Sequence, residues 1–288
     1  MIKKLVIIGV GLIGGSLAKA LKSKKAVSKI TGYSRSETHL QQAVNLKIID
    51  DYSLDIAIAM DNADVIVIAT PVQSFAAIFK DIKPYFKPNM VLTDVGSTKG
   101  SVIKMIKGVF GDIPKNFIPA HPIAGKEKSG ALAADGALFN NRRVILTYHK
   151  NATDKAIKEV TKMWQDTGAI IETMSVKKHD ELLAMTSHLP HLLSFSLMNY
   201  LTDNNPNAYD YAAGGFKDFS RIASSDSIMW RDIFINNDKA LLKEIAKYQK
   251  SLANIATLIK NKDTTKLEQE LLRAKQLRDN WIENHGDS

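Results

Sequence analysis

A histidine at the end of an apolar run is the side chain best suited to move a proton in this sequence. His121 directly follows the candidate strand Asn116–Ala120. Imidazole takes or shares a proton near neutral pH, so a histidine at the carboxyl edge of a ligand-binding sheet can act as a general base. Ser97 and Thr98 follow another candidate strand, Met90–Asp94, and a purely structural interpretation has them cap the next helix.

The last third of the chain carries a second group of polar side chains. Ser187, His188 and His191 surround Pro190, which we interpret as a break between helices. Three cations also stand among small and apolar residues: Lys217, Arg221 and Arg231. Cations in such surroundings suit a ligand that bears a carboxylate. The alternative is internal pairing with nearby aspartates, and for Arg231 and Asp232 it is equally well supported.

A glycine-rich turn near the amino terminus indicates a cofactor for this chemistry. It follows the apolar strand candidate Leu5–Gly9 and consists of Gly9, Val10, Gly11, Leu12, Ile13 and Gly14. Gly9 permits the tight turn, Gly11 lets the backbone approach a pyrophosphate, and Gly14 lets helix and strand pack closely. The following helix presents unpaired N–H groups and its positive dipole end to the phosphates. We predict a dinucleotide site, with His121 where the nicotinamide ring would lie; the alternative is a turn that merely joins two elements.

The end of the second strand candidate, Lys29–Tyr33, bears on which dinucleotide binds. An NAD site usually has an acidic residue there, whereas this chain has Ser34, Arg35 and Ser36. Hydroxyls and a guanidinium can hold the 2′-phosphate of NADP, so the sequence favours NADP over NAD. The alternative is that Arg35 stacks on the adenine of either cofactor. Thr70 and Pro71, at the exit of the next strand candidate, are expected to border the same cofactor.

Composition excludes several other functions. The chain has 288 residues, of which 45% are hydrophobic, enough for one large core or two. It contains no cysteine, which excludes disulfides, thiolate nucleophiles and thiolate metal sites. Its apolar runs are too short for a signal peptide or a bilayer span, so we expect a cytoplasmic protein without membrane contact. The net charge is +9, but scattered lysines without interleaved aromatic residues argue against a nucleic-acid partner.

Strands alternate with helices over the first part of the chain. Further strand candidates are Val65–Thr70, Val144–Thr147 and Ala169–Thr173, and helical patterns include Ser74–Ile82, Lys99–Val109 and Asp154–Thr167. This alternation predicts an α/β Rossmann domain, with a doubly wound and mostly parallel sheet, over residues 1–172. Long helical patterns, among them Lys239–Ile259 and Thr264–Ile282, predict an all-α domain over residues 173–288. Its apolar stripe predicts a homodimer formed through this domain.

Taken together, these motifs resemble the prephenate/arogenate dehydrogenase family of tyrosine biosynthesis. The resemblance extends over nearly the whole chain, through Gly9–Ser16, Asp94–Gly100, His121–Gly130, Ser187–His191 and Gly214–Asp232. It implies a Rossmann domain, a helical dimerisation domain and an active site between them. The chain resembles the stand-alone form, because no residues remain for a fused mutase or a regulatory domain.

The resemblance also implies roles for individual residues. His121 is similar to the catalytic histidine that hydrogen-bonds the ring hydroxyl of the substrate, and Ser97 to a serine that assists there. Residues similar to substrate ligands are Ser187, His191 and Arg221, and we expect Lys217 to join them. Ser34 stands where NAD-using members commonly have an aspartate and resembles the NADP-using members instead.

The implied reaction is the oxidative decarboxylation of prephenate to 4-hydroxyphenylpyruvate. His121 accepts the hydroxyl proton while hydride leaves the same carbon for the nicotinamide, carbon dioxide departs and the ring becomes aromatic, with no metal required. Arogenate, which would give tyrosine directly, is the alternative substrate. Two other classes remain as competitors: dehydrogenases of the 6-phosphogluconate or 3-hydroxyisobutyrate type, with Lys217 as the catalytic lysine, and a non-enzymatic NADP sensor, which would not need His121.

Overall fold

One eight-stranded sheet organises the computed structural model, which describes residues 1–126 and 128–285. Its strands are β1 (Ile2–Ile8), β2 (Val27–Tyr33), β3 (Asp51–Ser53), β4 (Val65–Ile68), β5 (Val91–Asp94), β6 (Phe117–Pro122), β7 (Arg143–Leu146) and β8 (Ile170–Thr173). The order across the sheet is β3-β2-β1-β4-β5-β6-β7-β8. Neighbouring strands are parallel except β6 and β7, which run antiparallel. The predicted doubly wound, mostly parallel sheet is confirmed.

The seven predicted strands are all present, with no end displaced by more than three residues. The sequence does not predict β3, because Asp51, Tyr52 and Ser53 form no apolar run. This short strand lies at the edge of the sheet and pairs only with β2, through Thr31 opposite Asp51. An edge strand has little apolar surface to bury, so hydrophobic periodicity is a poor signal for it.

The central strand β1 shows why the sheet needs helices on both faces. Leu5 and Ile7 pack into one hydrophobic core, whereas Val6 and Ile8 pack into a second core on the opposite face. Successive side chains of a strand point to opposite faces, so an unbroken apolar run must be covered on both sides. All four side chains are buried.

Six α-helices of the Rossmann part lie between successive strands, except between β6 and β7. They are α1 (Leu12–Ser23), α2 (Glu37–Asn45), α3 (Ile56–Met60), α4 (Phe75–Ile82), α5 (Lys99–Phe110) and α6 (Asp154–Gln165). Leu17 of α1 and Trp164 of α6 enter the core that contains Leu5. Phe79 of α4 and Ile106 of α5 enter the other core. The helices therefore form a layer on each face of the sheet.

The rest of the described chain is mainly α-helical. They are α7 (Val176–Leu183), α8 (Leu189–Asn204), α9 (Gly214–Ser220), α10 (Ser227–Asn236), α11 (Asp238–Lys260) and α12 (Thr264–His285). Contacts divide the chain into two compact units, residues 1–238 and the segment from Lys239 onward. Helices α7 to α10 thus belong to the same unit as the sheet.

The helical segment around Pro190 departs from the expected break. A wide turn, Ala184–His188, has hydrogen bonds that span five residues, and it joins α7 to α8 without interruption. Proline has no N–H and its ring clashes with the carbonyl four residues earlier, so a regular helix cannot pass through this point. Widening the turn just before Pro190 relieves that conflict, and such turns are frequent at functional sites.

The second unit leaves much apolar surface uncovered. In α12 the exposed large apolar side chains are Leu271, Leu272, Leu277 and Trp281. Exposed apolar stripes of this kind suit association with another helical surface. Within residues 1–126 and 128–285, none of the helices has both the length and the apolar character that a membrane span requires.

Candidate active site

The glycine turn between β1 and α1 has the geometry that its sequence predicts. Gly9 has a φ of +95°, and a Cβ there would lie 2.7 Å from Cγ2 of Thr70. A Cβ on Gly14 would collide with the carbonyl oxygen of Gly9 and lie 2.9 Å from Cγ2 of Ile7. A Cβ on Gly11, in contrast, would meet no described atom within 4 Å. The turn is therefore closed towards the protein at Gly9 and Gly14. It is open at Gly11, where the protein backbone can approach a ligand.

Leu12 and Ile13 begin α1 and pack against the hydrophobic core, which fixes the direction of the helix. Gly11 precedes them as the N-cap residue, and no side chain caps the first turn. The N–H groups of this first turn can therefore bind an anion, as the sequence predicts for a pyrophosphate.

Three residues of the loop after β2 are predicted to bind the cofactor, and two of them, Ser34 and Ser36, make local hydrogen bonds. Ser34 Oγ accepts from the Ser36 N–H at 3.0 Å and lies 3.1 Å from the Ser36 carbonyl oxygen. Ser36 Oγ caps α2 by accepting from the His39 N–H at 3.4 Å. Arg35 is exposed between them. The loop is a preformed turn that presents a guanidinium at the end of β2.

Thr70 and Pro71 lie just beyond the carboxyl end of β4, beside the glycine turn. The Thr70 hydroxyl lies 2.8 Å from the Ser74 hydroxyl, which donates to the Pro71 carbonyl at 2.7 Å. Pro71 precedes a short helical turn, Val72–Ser74, so it follows the strand and does not interrupt it. These contacts fix the local conformation of the β4 exit.

The principal arrangement of titratable groups is a chain of three side chains: His121, His179 and Asp180. His121 Nδ1 in β6 lies 2.9 Å from His179 Nε2 in α7, and His179 Nδ1 lies 2.8 Å from Asp180 Oδ1. Both rings are buried. A carboxylate can only accept, so His179 Nδ1 carries the proton and its Nε2 accepts from Nδ1–H of His121. That tautomer leaves the Nε2 lone pair of His121 available as a base.

Burial sets the protonation states of His121, His179 and Asp180. Desolvation, assisted by His179 and Lys99, holds the pKa of His121 well below its usual range. Desolvation also lowers the pKa of His179. Burial acts to raise the pKa of Asp180, but hydrogen bonds from His179, Lys99 and Gly100 hold it below its usual range. The arrangement at neutral pH is a carboxylate followed by two neutral imidazoles.

Ser97 follows β5, next to the strand that carries His121. Strands β5 and β6 are parallel, with Asp94 opposite Pro119, so Ser97 and His121 extend from the same edge of the sheet. Neither Ser97 nor Thr98 caps α5 by a side-chain hydrogen bond. Asp180 from α7 does so instead, accepting from the N–H groups of Lys99 at 2.8 Å and Gly100 at 2.7 Å. The capping alternative for Ser97 is therefore wrong, and its hydroxyl serves no cap.

Ser187 lies in the wide turn, and His191 lies one turn further on in α8. His191 Nδ1 donates to the Ser187 carbonyl at 2.9 Å, and its ring stacks on Trp230 of α10 with centroids 3.6 Å apart. The neighbouring His188 is buried and bonds the Asn237 side chain, which also donates to the Asp180 carbonyl. These bonds connect the His191 region to the His121–His179–Asp180 chain.

The three predicted cations differ in their surroundings. Lys217 is exposed on α9, and Arg221 is exposed on the helical turn Arg221–Ser224 that follows. Helix α8, which carries His191, packs against both segments. Arg231 binds Asp232 Oδ1 at 2.7 and 2.9 Å, so internal pairing is confirmed for this arginine.

Sequence reasoning did not find His179 and Asp180. They stand in the string Lys177-Lys178-His179-Asp180-Glu181, whose charges suggest a solvated helix face. Only the packing of α7 against α5 shows that the histidine of this string turns inward. The available signal was a histidine at helical spacing from Leu183, on the apolar face of an otherwise charged helix.

Comparison with known proteins accounts for both parts of the chain. Residues 17–173 match the family model for the nucleotide-binding domain of prephenate dehydrogenase, and residues 175–273 match the model for its dimerization domain. A cyclohexadienyl dehydrogenase of Zymomonas mobilis is 34% identical over 91% of this chain and 90% of its own length. A prephenate dehydrogenase of Bacillus subtilis is 33% identical over 96% of this chain and 75% of its own length.

A solved structure agrees with these matches. The prephenate dehydrogenase of Aquifex aeolicus, crystallised with hydroxyphenyl propionate and NAD+, is 37% identical, with a TM-score of 0.92 over 97% of this chain and 98% of that one. The glycine turn, the strand order and the helical region thus occur together in a known fold. This chain belongs to the prephenate dehydrogenase family of NAD-dependent oxidoreductases, and its helical part is the dimerization domain of that family.

Proposed function

We propose that this protein catalyses the oxidative decarboxylation of prephenate to 4-hydroxyphenylpyruvate. The observation that carries the proposal is the His121–His179–Asp180 chain, which supplies a buried neutral base at the carboxyl edge of a nucleotide-binding sheet. Ligands of doubly wound sheets bind at this edge. Its site of action is proposed to be the cytoplasm, where nicotinamide cofactors are available.

The glycine turn fits a dinucleotide. Gly11 is open to a ligand, and the first turn of α1 has uncapped N–H groups that can bind a pyrophosphate. When bound, the nicotinamide ring supplies the acceptor for the hydride. We propose that Gly9–Gly14 and Thr70–Pro71 border the cofactor. NAD binding follows from the family. We propose a preference for NADP, because Arg35 is exposed after β2 between Ser34 and Ser36.

His121 is proposed as the general base for the ring hydroxyl. Its Nε2 accepts the hydroxyl proton, and the resulting positive charge is stabilised through Nδ1–H by His179, which is itself oriented by Asp180. Ser97, at the end of the adjacent strand, is proposed to hydrogen-bond the same hydroxyl. Loss of carbon dioxide needs no further base, because aromatisation of the ring drives it.

Substrate binding is assigned to the helical region. Ser187 and His191 lie on one continuous helix with His179, and Arg221 lies on a turn packed against that helix. We propose that Arg221 binds a substrate carboxylate and that Ser187, His191 and Lys217 complete the pocket. We further propose residues 1–172 as the cofactor-binding domain and residues 173–288 as the substrate-binding and dimerisation domain.

Arogenate is the second candidate substrate. It has the same reacting ring as prephenate and differs in the side chain, which carries an amine in place of the keto group. The similarity to a cyclohexadienyl dehydrogenase supports this alternative.

Steady-state assays with prephenate or arogenate, each with NADP or NAD, test the proposal through the absorbance of the reduced cofactor. We expect the highest kcat/KM with prephenate and NADP. A higher kcat/KM with arogenate would assign the alternative substrate. Absence of turnover in all four combinations would overturn the proposed function.

A further inference from the structure

A buried ion pair lies beneath the two strand ends that carry Ser97 and His121. Lys99 Nζ bonds Asp94 Oδ2, and both side chains are 0% exposed. Each partner makes one more bond to the backbone: Lys99 Nζ donates to the Ala120 carbonyl at 2.7 Å, and Asp94 Oδ2 accepts from the Gly96 N–H at 2.8 Å. The pair therefore links two segments of backbone.

The two linked backbone groups are the immediate neighbours of the proposed catalytic residues. Ala120 precedes His121, and Gly96 precedes Ser97. The main-chain N–H of Lys99 also donates to Asp180, the carboxylate that orients His179. Lys99 is thus bonded to all three segments that hold Ser97, His121 and His179.

The environment of Lys99 excludes direct contact with a substrate as its role. The ammonium group has no exposed surface and is already engaged by a carboxylate and a carbonyl. Stability alone is also a poor explanation for the pair. Desolvation of two charges offsets most of their attraction, and apolar residues of similar volume are often as stabilising.

We propose that Asp94 and Lys99 are positioning residues that fix Ser97 and His121 relative to each other at the substrate hydroxyl. The inference rests on the proposed function for the roles of those two residues. Displacement of catalytic groups by about 1 Å can reduce turnover by roughly 10²-fold. A fixed separation between two strand ends is therefore a property on which the rate depends.

The test compares three variants: Asp94→Asn, Lys99→Met and the double variant Asp94→Asn/Lys99→Met. Each single variant leaves one buried charge unpaired, so its melting temperature is expected to fall. The double variant leaves no unpaired charge and should recover most of that loss. We expect its kcat to remain about 10- to 100-fold below wild type while the KM for the cofactor is unchanged. If the pair were merely structural, kcat would return together with stability, and that result would overturn the proposal.

Amide hydrogen exchange provides a measurement that does not depend on activity. In the double variant we expect faster exchange at residues 95–98 and 119–122 than in wild type, and unchanged exchange in α6. The matched control is Lys162→Met/Asp166→Asn, which removes a solvent-accessible ion pair at the C-terminal end of α6 and should leave both segments unchanged. Exchange that is unaltered at the two segments in the double variant would refute the inference, even if wild type turned over neither substrate.

Discussion

Nδ1 of His121 lies 2.9 Å from Nε2 of His179, so the proposed base is held by a second imidazole and not directly by a carboxylate. Asp180 lies one step further along and binds the other nitrogen of His179 at 2.8 Å. Desolvation lowers the pKa of His121, so this histidine stays neutral in its buried site. The intervening ring keeps the carboxylate of Asp180 from bonding it directly. A neutral imidazole is the form that can accept a proton.

Replacement of His121 by asparagine should lower kcat by about 10²- to 10⁴-fold, because a general base contributes roughly that much. The KM for the substrate should change little, since the contacts in the helical region remain. The kcat/KM profile of wild type should fall only below pH 6.5, because burial lowers the pKa of His121, and the variant should lose this limb. Retention of more than about half of the wild-type kcat would show that His121 is structural.

His179 offers a paired substitution. In His179→Gln the side-chain amide can accept from His121 and donate to Asp180, whereas leucine can do neither. Loss of the group that orients a catalytic histidine can cost up to about 10⁴-fold, so we expect His179→Leu to lose about 10²-fold or more in kcat. The glutamine variant should retain clearly more. Steady-state kinetics at pH 7 decide the matter, and equal kcat values for the two variants would contradict an orienting role.

Arg221→Ala should raise the substrate KM by about 10- to 150-fold, because a charge-assisted bond to a carboxylate contributes about 1.5–3 kcal/mol. Most of the effect should appear in KM and little in kcat. Arg221→Lys should restore part of the loss, since lysine keeps the charge but lacks the planar fork. The substrate KM of Lys217→Ala, measured alongside, shows which of the two exposed cations binds the carboxylate. An unchanged KM in Arg221→Ala would place this residue outside the substrate site.

Ser34→Asp tests the cofactor preference. Aspartate can still accept from the Ser36 N–H, so the turn after β2 should persist. Its charge would repel the 2′-phosphate of NADP and offer the ribose hydroxyls of NAD an acceptor. We expect the KM for NADP to rise and that for NAD to hold or fall, with kcat nearly unchanged. Arg35→Ala should weaken NADP alone, and equal KM changes for both cofactors in Ser34→Asp would contradict the assignment.

Acid should destabilise the protein through its buried histidines. Burial lowers the pKa of His188 to about 4, whereas an unfolded histidine titrates near 6.5. Between these values the unfolded chain binds a proton that the folded protein does not. This stabilisation is therefore complete above the unfolded pKa and is lost as the pH falls towards 4, by about 3 kcal/mol.

Urea unfolding of wild type and His188→Gln at about pH 7 and about pH 4.5 measures this contribution, because these two values span most of that titration. The variant should lose less free energy of unfolding between the two pH values than wild type does. The free energy of unfolding of the variant should still fall somewhat at the lower pH, because burial also lowers the pKa of His121, His179 and His191. An equal loss in both proteins would show that His188 does not contribute.

Local patterns predict the sheet and the glycine turn well because their causes are local. The apolar run of β1 and the glycines at positions 9 and 14 each reflect a steric requirement within a few residues. His179 and Asp180 could not be found in this way. Their partners, His121 and the N–H groups of Lys99 and Gly100, lie 58 to 81 residues away in the chain.

The Pro190 region shows a different limit of sequence reasoning. Proline correctly indicates that a regular helix cannot continue, but it does not tell whether the chain breaks or adapts. Here α7 and α8 continue through the wide turn Ala184–His188. The packing of Trp230 on His191 and the bonds from Asn237 to His188 and Asp180 hold both sides of that turn in place.

The wide turn also constrains how this helix can change in length. Each residue of an α-helix advances the side chains by about 100° around the axis, and the wide turn accommodates one residue more than a regular turn would. His179 on one side and His191 on the other owe their relative angular phase to that extra residue. Loss or gain of a single residue between them would rotate one histidine away from its neighbours. Lineages of this enzyme should therefore vary the segment from His179 to His191 by substitution, and its number of residues should be invariant.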